Sequence, residues 1–233
     1  MGYRTDRYDP SYREGQDQFV DWHISGQDRV PSYLFAALYV AAWLVMLPSG
    51  GMAAWGVSAQ SLSEGRLHTL GLHMFAHAGL LHLTFNTTAI LALGPPLASL
   101  FGRRIGQWTR FVVVLVGGSM IGAFVFLLFH PHSTVPLVGA SGGLFAFVGM
   151  LARTPKQHGD LAPLFSAETK AAARDFLKEN GWLVAIFTLP MLLAGREGGV
   201  AWEAHLGGFL FGLLSAPWFV RPIDQAPEAI TSA

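Results

Sequence analysis

Six apolar runs mark the chain, at about residues 33–54, 80–100, 109–129, 139–152, 181–194 and 202–219. As helices rising 1.5 Å per residue, the first three and the last are long enough to cross ~30 Å of hydrocarbon. The fourth and fifth are short. A short segment can still span if its start lies below the surface, shielded by protein or beside a wet cavity. The pattern predicts an all-α membrane protein. A six-helix bundle over residues 33–219 lies between a polar N-tail, 1–32, and a C-tail, 220–233.

Charge agrees with that division. Only 13% of the 233 residues are charged and 52% are hydrophobic, against about 25% charged in soluble domains. With six spans, one side receives 13 of the 15 Lys and Arg, and the other only Arg66 and Arg196. Positive residues collect on the cytoplasmic side, so both termini are expected in the cytoplasm of a plasma (inner) membrane. The formal net charge is zero, which argues against a nucleic-acid partner. The absence of cysteine removes disulfides, thiolate metal sites and cysteine nucleophiles. The first apolar run is too late and too long for a cleaved signal peptide. Two connections stand out. The outer loop 55–79 is amphipathic and carries Trp55, His68, His73 and His77. The inner loop 153–180 contains AETKAAARDFLKEN, which reads as a solvated cytoplasmic helix.

Polar groups inside spans are costly and mark function. They are few: His82 and Asn86 in the second segment, Ser141 opening the fourth, and Glu203 and His205 opening the sixth. His82 and Asn86 share a helical face at i, i+4. Ser141 and His205 each begin a segment entering from the outer side, so all four fall at similar depth. Gly208 and Gly212 form a G-x-x-x-G surface, and Gly142, Ala146 and Gly149 a matching one; such surfaces let helix backbones touch. That packing would bring His205 to Ser141 as the base a weak hydroxyl nucleophile needs. His82, Asn86 and the Ser141 backbone N–H are suitable donors to an oxyanion. Phe145, one turn after Ser141, is placed to stack on the imidazole. Gly139 would let the chain turn below the surface, and Gly142 and Gly143 would let the sixth helix approach. Glu203, two residues before His205, points to another face and reads as interfacial. This chemistry calls for no metal or cofactor.

These residues make the chain resemble the rhomboid family of intramembrane serine proteases, in its basic six-helix bacterial form. HMFAHAGLLHLTFN supplies His77, His82 and Asn86. The G-x-S-G motif reads Gly139-Ala140-Ser141-Gly142, and A-H-x-x-G-x-x-x-G reads Ala204-His205, Gly208 and Gly212. The resemblance implies a Ser141–His205 dyad, nucleophile and general base then acid, recessed in the membrane and opening outward. It implies an oxyanion site of His82, Asn86 and the Ser141 N–H, with Phe145 packed on the catalytic ring and His73 and His77 as structural residues of the loop. Substrates would be transmembrane segments with small residues at the scissile bond and a readily unwound helix. They would enter by the fifth helix, 181–194, and the cap loop 195–201. Two positions depart from the family. His68-Thr69 stands where many members have Trp-Arg, and Ala98 where many have Glu.

Three rivals are weaker. GASGG fits the G-x-S-x-G hydrolase elbow, but that needs a strand and a soluble α/β sheet. HMFAH lacks the Glu of H-E-x-x-H, which argues against a zinc hydrolase. The alternative from outside enzymology is a non-catalytic rhomboid-like protein that binds transmembrane helices, but such relatives typically lack the Ser or the His. Oligomeric state is not encoded, because the glycine surfaces already have intramolecular partners.

Overall fold

A computed structural model describes residues 24–102, 105–154, 161–193 and 201–220. Among them the regular structure is helical, apart from one isolated antiparallel bridge between Val57 and Leu137. Three helices are long and apolar enough to cross a membrane: α1 (Gly26–Met46), α5 (Leu80–Leu100) and α6 (Ile105–Phe129).

Helix α1 starts before the apolar run 33–54 and ends inside it. Its start lies in the stretch assigned to the polar tail, because a local cap overrides polarity there. The backbone N–H and Oγ–H of Ser25 both donate to Asp28 Oδ2, at 2.8 and 2.7 Å. The acidic side chain three residues in thus satisfies the N–H of the cap residue, as the second half of a capping box does. The helix stops because Pro48 has no N–H to donate to the carbonyl one turn back, and Gly50 and Gly51 turn through left-handed φ of 91° and 63°. Residues 51–54 are apolar but belong to a separate short helix, α2 (Gly51–Trp55).

Next come α3 (Ala59–Ser63), α4 (Thr69–Leu72) and a 3-10 turn (His73–Phe75). This loop is anchored by its own polar groups. Ser61 N donates to Ser58 Oγ at 3.0 Å, Ser61 Oγ and Thr69 Oγ1 lie 3.2 Å apart, and Arg66 reaches the Ala53 carbonyl at 2.7 Å. Thr69, at one of the departing positions, is fully buried in that network. The bridge, with N···O distances of 3.0 and 2.7 Å, ties the loop to the segment that leads to Ser141.

α7 (Ser141–Leu151) is short because it lies inside the molecule. Gly142, Gly143, Leu144 and Ala146 to Met150 are all buried, among α5, α6 and α9 (Trp202–Phe219). Small residues allow this. A methyl on Gly212 would strike the Ala146 carbonyl, one on Gly149 the Phe209 carbonyl, and one on Gly118 of α6 the Ala146 side chain. Phe111 meets Phe147 edge-on at 4.9 Å below.

Residues 167–180, read from sequence as part of a cytoplasmic loop, continue into the fifth apolar segment as one helix, α8 (Ala167–Leu193). Gly181 is the only breaker near the join, and a helix tolerates a glycine for about 1 kcal/mol. Polarity marks a change of environment along a helix and does not end it. The cap loop 195–200 and both tails, 1–23 and 221–233, lie outside the described residues.

At the other end of the bundle, Gln107 Nε2 donates to Asp28 Oδ1 and to the Ala98 carbonyl, the latter at 3.0 Å. Gln107 thus links the start of α1 to the end of α5.

Candidate active site

Gly139 makes the turn into α7 at φ 109°, a conformation that L side chains rarely adopt. Its N–H donates to the His73 carbonyl at 2.8 Å. Ala140 caps the helix and Ser141 is its first residue, so the Ser141 N–H has no acceptor within the helix. The hydroxyl is held by α9: Ser141 Oγ and His205 Nε2 are 2.8 Å apart. The two helices approach this closely because Gly208, one turn after His205, lies against the Gly142 backbone.

Phe145 fixes the plane of the imidazole. Its ring is parallel to that of His205, at an interplanar angle of 7° and a centroid distance of 4.3 Å. On its other side Phe145 meets Phe176 of α8 edge-on at 6.0 Å. Among the described residues, no carboxylate bonds His205; the nearby Glu203 is engaged with His130 at 2.9 Å.

His82 packs on the Gly139 backbone. A methyl built at Gly139 would sit 2.7 Å from both Cε1 and Nε2 of His82, and 3.7 Å from Asn86 Nδ2. The Ala78 N–H points at His82 Nδ1, 3.4 Å away. Nδ1 therefore accepts and Nε2 carries the proton, which leaves an N–H aimed at the Gly139–Ser141 turn. Asn86 Nδ2 gives one proton to the His82 carbonyl at 3.0 Å and retains a second. The turn thus gathers the N–H groups of Ser141, His82 and Asn86 beside a hydroxyl bonded to an imidazole.

His73 and His77 are tied to the backbone of their own loop. Each bonds a backbone carbonyl through Nδ1: Leu70 at 2.8 Å for His73 and Phe75 at 3.1 Å for His77. Burial holds both below the ordinary histidine range, His77 at about 4, where the neighbouring His82 adds to the effect. Among the described residues there is no group of three or more His, Cys, Asp or Glu able to hold a metal ion.

Glu203 turns away from His205. It is 6% exposed and paired with His130, a partner that the sequence reading did not include. The pairing joins residues far apart in sequence, and the periodicity of α9 alone cannot reveal it. The contribution of α6 was also missed. Gly118 and Gly122 form a third small-residue surface, itself G-x-x-x-G, with Gly122 backed against the Ala204 carbonyl. Their spacing was the available signal.

A membrane-type helical bundle that brings a serine, a histidine and a row of N–H donors to one turn defines the class. The chain belongs to the rhomboid family: the family's Rhomboid domain model matches residues 64–222. With its apolar helices, this makes it an integral membrane protein. Among curated proteins it is similar to rhomboid protease GluP of Bacillus subtilis, 28% identical over 193 residues, covering 79% of this chain and 34% of that protein. It is also similar to rhomboid protease GlpG of Serratia proteamaculans, 29% identical over 153 residues, 64% of this chain and 47% of that protein. RHOMBOID-like protein 12, mitochondrial, of Arabidopsis thaliana is 23% identical over 223 residues, 89% of this chain and 62% of that protein. The chain therefore spans about a third to just under two thirds of these relatives' own lengths.

Proposed function

We propose that the protein is an intramembrane serine endopeptidase that cuts transmembrane segments with a Ser141–His205 dyad. The single observation that carries this is the 2.8 Å contact between Ser141 Oγ and His205 Nε2, with the imidazole stacked on Phe145. In this reading His205 is neutral, protonated at Nδ1, and accepts at Nε2. As Ser141 Oγ attacks the scissile carbonyl carbon, its proton passes to Nε2. The carbonyl oxygen becomes an oxyanion, bound by the Ser141 N–H, His82 Nε2–H and the second Asn86 Nδ2–H. Collapse breaks the C–N bond as Nε2–H protonates the leaving amine. Water, deprotonated by Nε2, then attacks the acyl ester; the ester C–O bond breaks as Nε2–H returns a proton to Ser141 Oγ, and the new carboxyl terminus leaves. Donors already aimed where charge develops are commonly the largest single contribution to such a rate.

The charge asymmetry supports six spans with both termini cytoplasmic, and a site opening to the outer face of a bacterial plasma membrane. Two relatives named rhomboid proteases support peptidase chemistry. The substrates are transmembrane segments with small residues at the scissile bond, since only a locally unwound helix exposes its peptide to a recessed hydroxyl. They enter beside α8.

The test is covalent labelling of the reconstituted protein with a fluorophosphonate. Ser141 is labelled in the wild type, and labelling disappears in His205→Ala. A folded wild type that takes no label would sink the peptidase reading and leave a protein that binds transmembrane helices.

A further inference from the structure

Glu203 has no part in the chemistry above, yet it is a carboxylate 6% exposed in the first turn of α9. A buried charge persists only with a partner. Its partner is His130, which directly follows α6 and closes that helix's last turn through its N–H to Phe126 O at 2.9 Å. Oε1 of Glu203 lies 2.9 Å from Nε2 of His130. The His130 ring packs on Phe126 at 4.7 Å. Beside this pair, Trp202 meets Phe129 edge-on at 5.6 Å. The end of α6 and the start of α9 are thus joined by a polar and an aromatic contact side by side.

His205 follows Glu203 by two residues, and among the described residues no carboxylate holds its ring. Phe145 sets the tilt of the imidazole, but stacked rings can slide over one another. The approach of Nε2 to Ser141 therefore depends on the depth and rotation of the α9 backbone. A misplacement of about 1 Å can cost about 100-fold in rate.

We propose that Glu203 and His130 are positioning residues. Their contact clamps the start of α9 to the end of α6 and so delivers His205 to Ser141. The ring N–H of His130 donates to the Glu203 carboxylate, and an ionised acceptor strengthens such a bond. The proposal rests on the reading of Ser141 and His205 as a dyad.

The test uses the full chain in liposomes, with kcat and KM measured on a model transmembrane substrate and normalised to sites titrated by a fluorophosphonate. Glu203→Ala and His130→Ala each lower kcat about 10-fold with KM unchanged, and the double variant is no slower than either. Glu203→Gln, whose amide oxygen still accepts from His130, keeps most of the rate. The exchanged pair Glu203→His with His130→Glu regains it. These two variants also carry the test if an alanine variant fails to fold. The clamp is overturned if the alanine variants keep full kcat, if their losses multiply, or if Gln is as damaging as Ala. A wild type that cleaves and labels while Glu203→Ala is unaffected removes only the clamp. A wild type that does not label removes the dyad as well.

Discussion

Gly208 of α9 lies backbone to backbone on Gly142 of α7, so that a methyl group on its Cα would collide with the Gly142 carbonyl. This contact stands one turn from His205 and one residue from Ser141. Overpacking a tight contact costs about 1–3 kcal/mol, and here the displacement moves the imidazole away from the hydroxyl. Gly208→Ala should lower the thermal midpoint and reduce cleavage more than about 10-fold. Gly71→Ala, where a methyl meets nothing within 4 Å, should do neither. Thermal unfolding and cleavage of the two variants, measured side by side, decide the matter.

The parallel stack of Phe145 on His205 predicts a dissociation of rate from affinity. Phe145→Leu fills much of the same space but offers no ring face. It should lower kcat about 10-fold with little change in KM, whereas Phe145→Tyr should stay near wild type. Equal KM and kcat losses in Phe145→Leu would mean that the ring serves the substrate and not the imidazole.

Asn86 and His82 present donors to the turn at Ser141, and a donor that acts on the transition state shows itself in kcat alone. Asn86→Ala should lose about 100–1,000-fold in kcat, as single oxyanion donors do. His82→Ala should lose as much or more, since its ring also supports Gly139. Fluorophosphonate labelling of Ser141 should persist in Asn86→Ala, because the nucleophile and its base are untouched. Loss of labelling there would assign Asn86 a structural role.

Acid should loosen the outer loop. His77 is held neutral in the fold, at about 4, chiefly by burial, whereas an unfolded histidine titrates near 6.5. Between those values the unfolded chain binds a proton that the folded chain does not, so stability falls as pH falls from about 6.5 towards 4 and is fully present above that window. The buried His73 acts in the same direction. Thermal midpoints across this range should show the slope, and His77→Gln should flatten it, whatever its cost at neutral pH.

Much of this molecule is legible in the sequence, and the limits have physical causes. α5, α7 and α9 carry their register in glycine spacing and in the His82–Asn86 pair, both of which are local. Helix ends are set by short-range chemistry that hydropathy averages away. Asp28 and Ser25 start α1 inside polar sequence, and Pro48-Ser49-Gly50-Gly51 ends it inside an apolar run. The continuity of α8 through Gly181 was hidden because polarity changes where the helix does not. The His130–Glu203 pair and the Asp28–Gln107 contact were out of reach, since each unites residues that meet only once the bundle has formed. The partner of Glu203 was hidden for that reason: periodicity shows which face a carboxylate takes, not what meets it there.

α7 and α9 lie far apart along the chain, with α8 between them. On the proposed mechanism the hydroxyl therefore exists well before its base during synthesis. A nascent chain arrested before α9 holds Ser141 with nothing to deprotonate it, in a membrane crowded with other proteins' helices. Proteolytic competence is then withheld until the bundle closes, and the glycine contact that completes the fold also arms the enzyme.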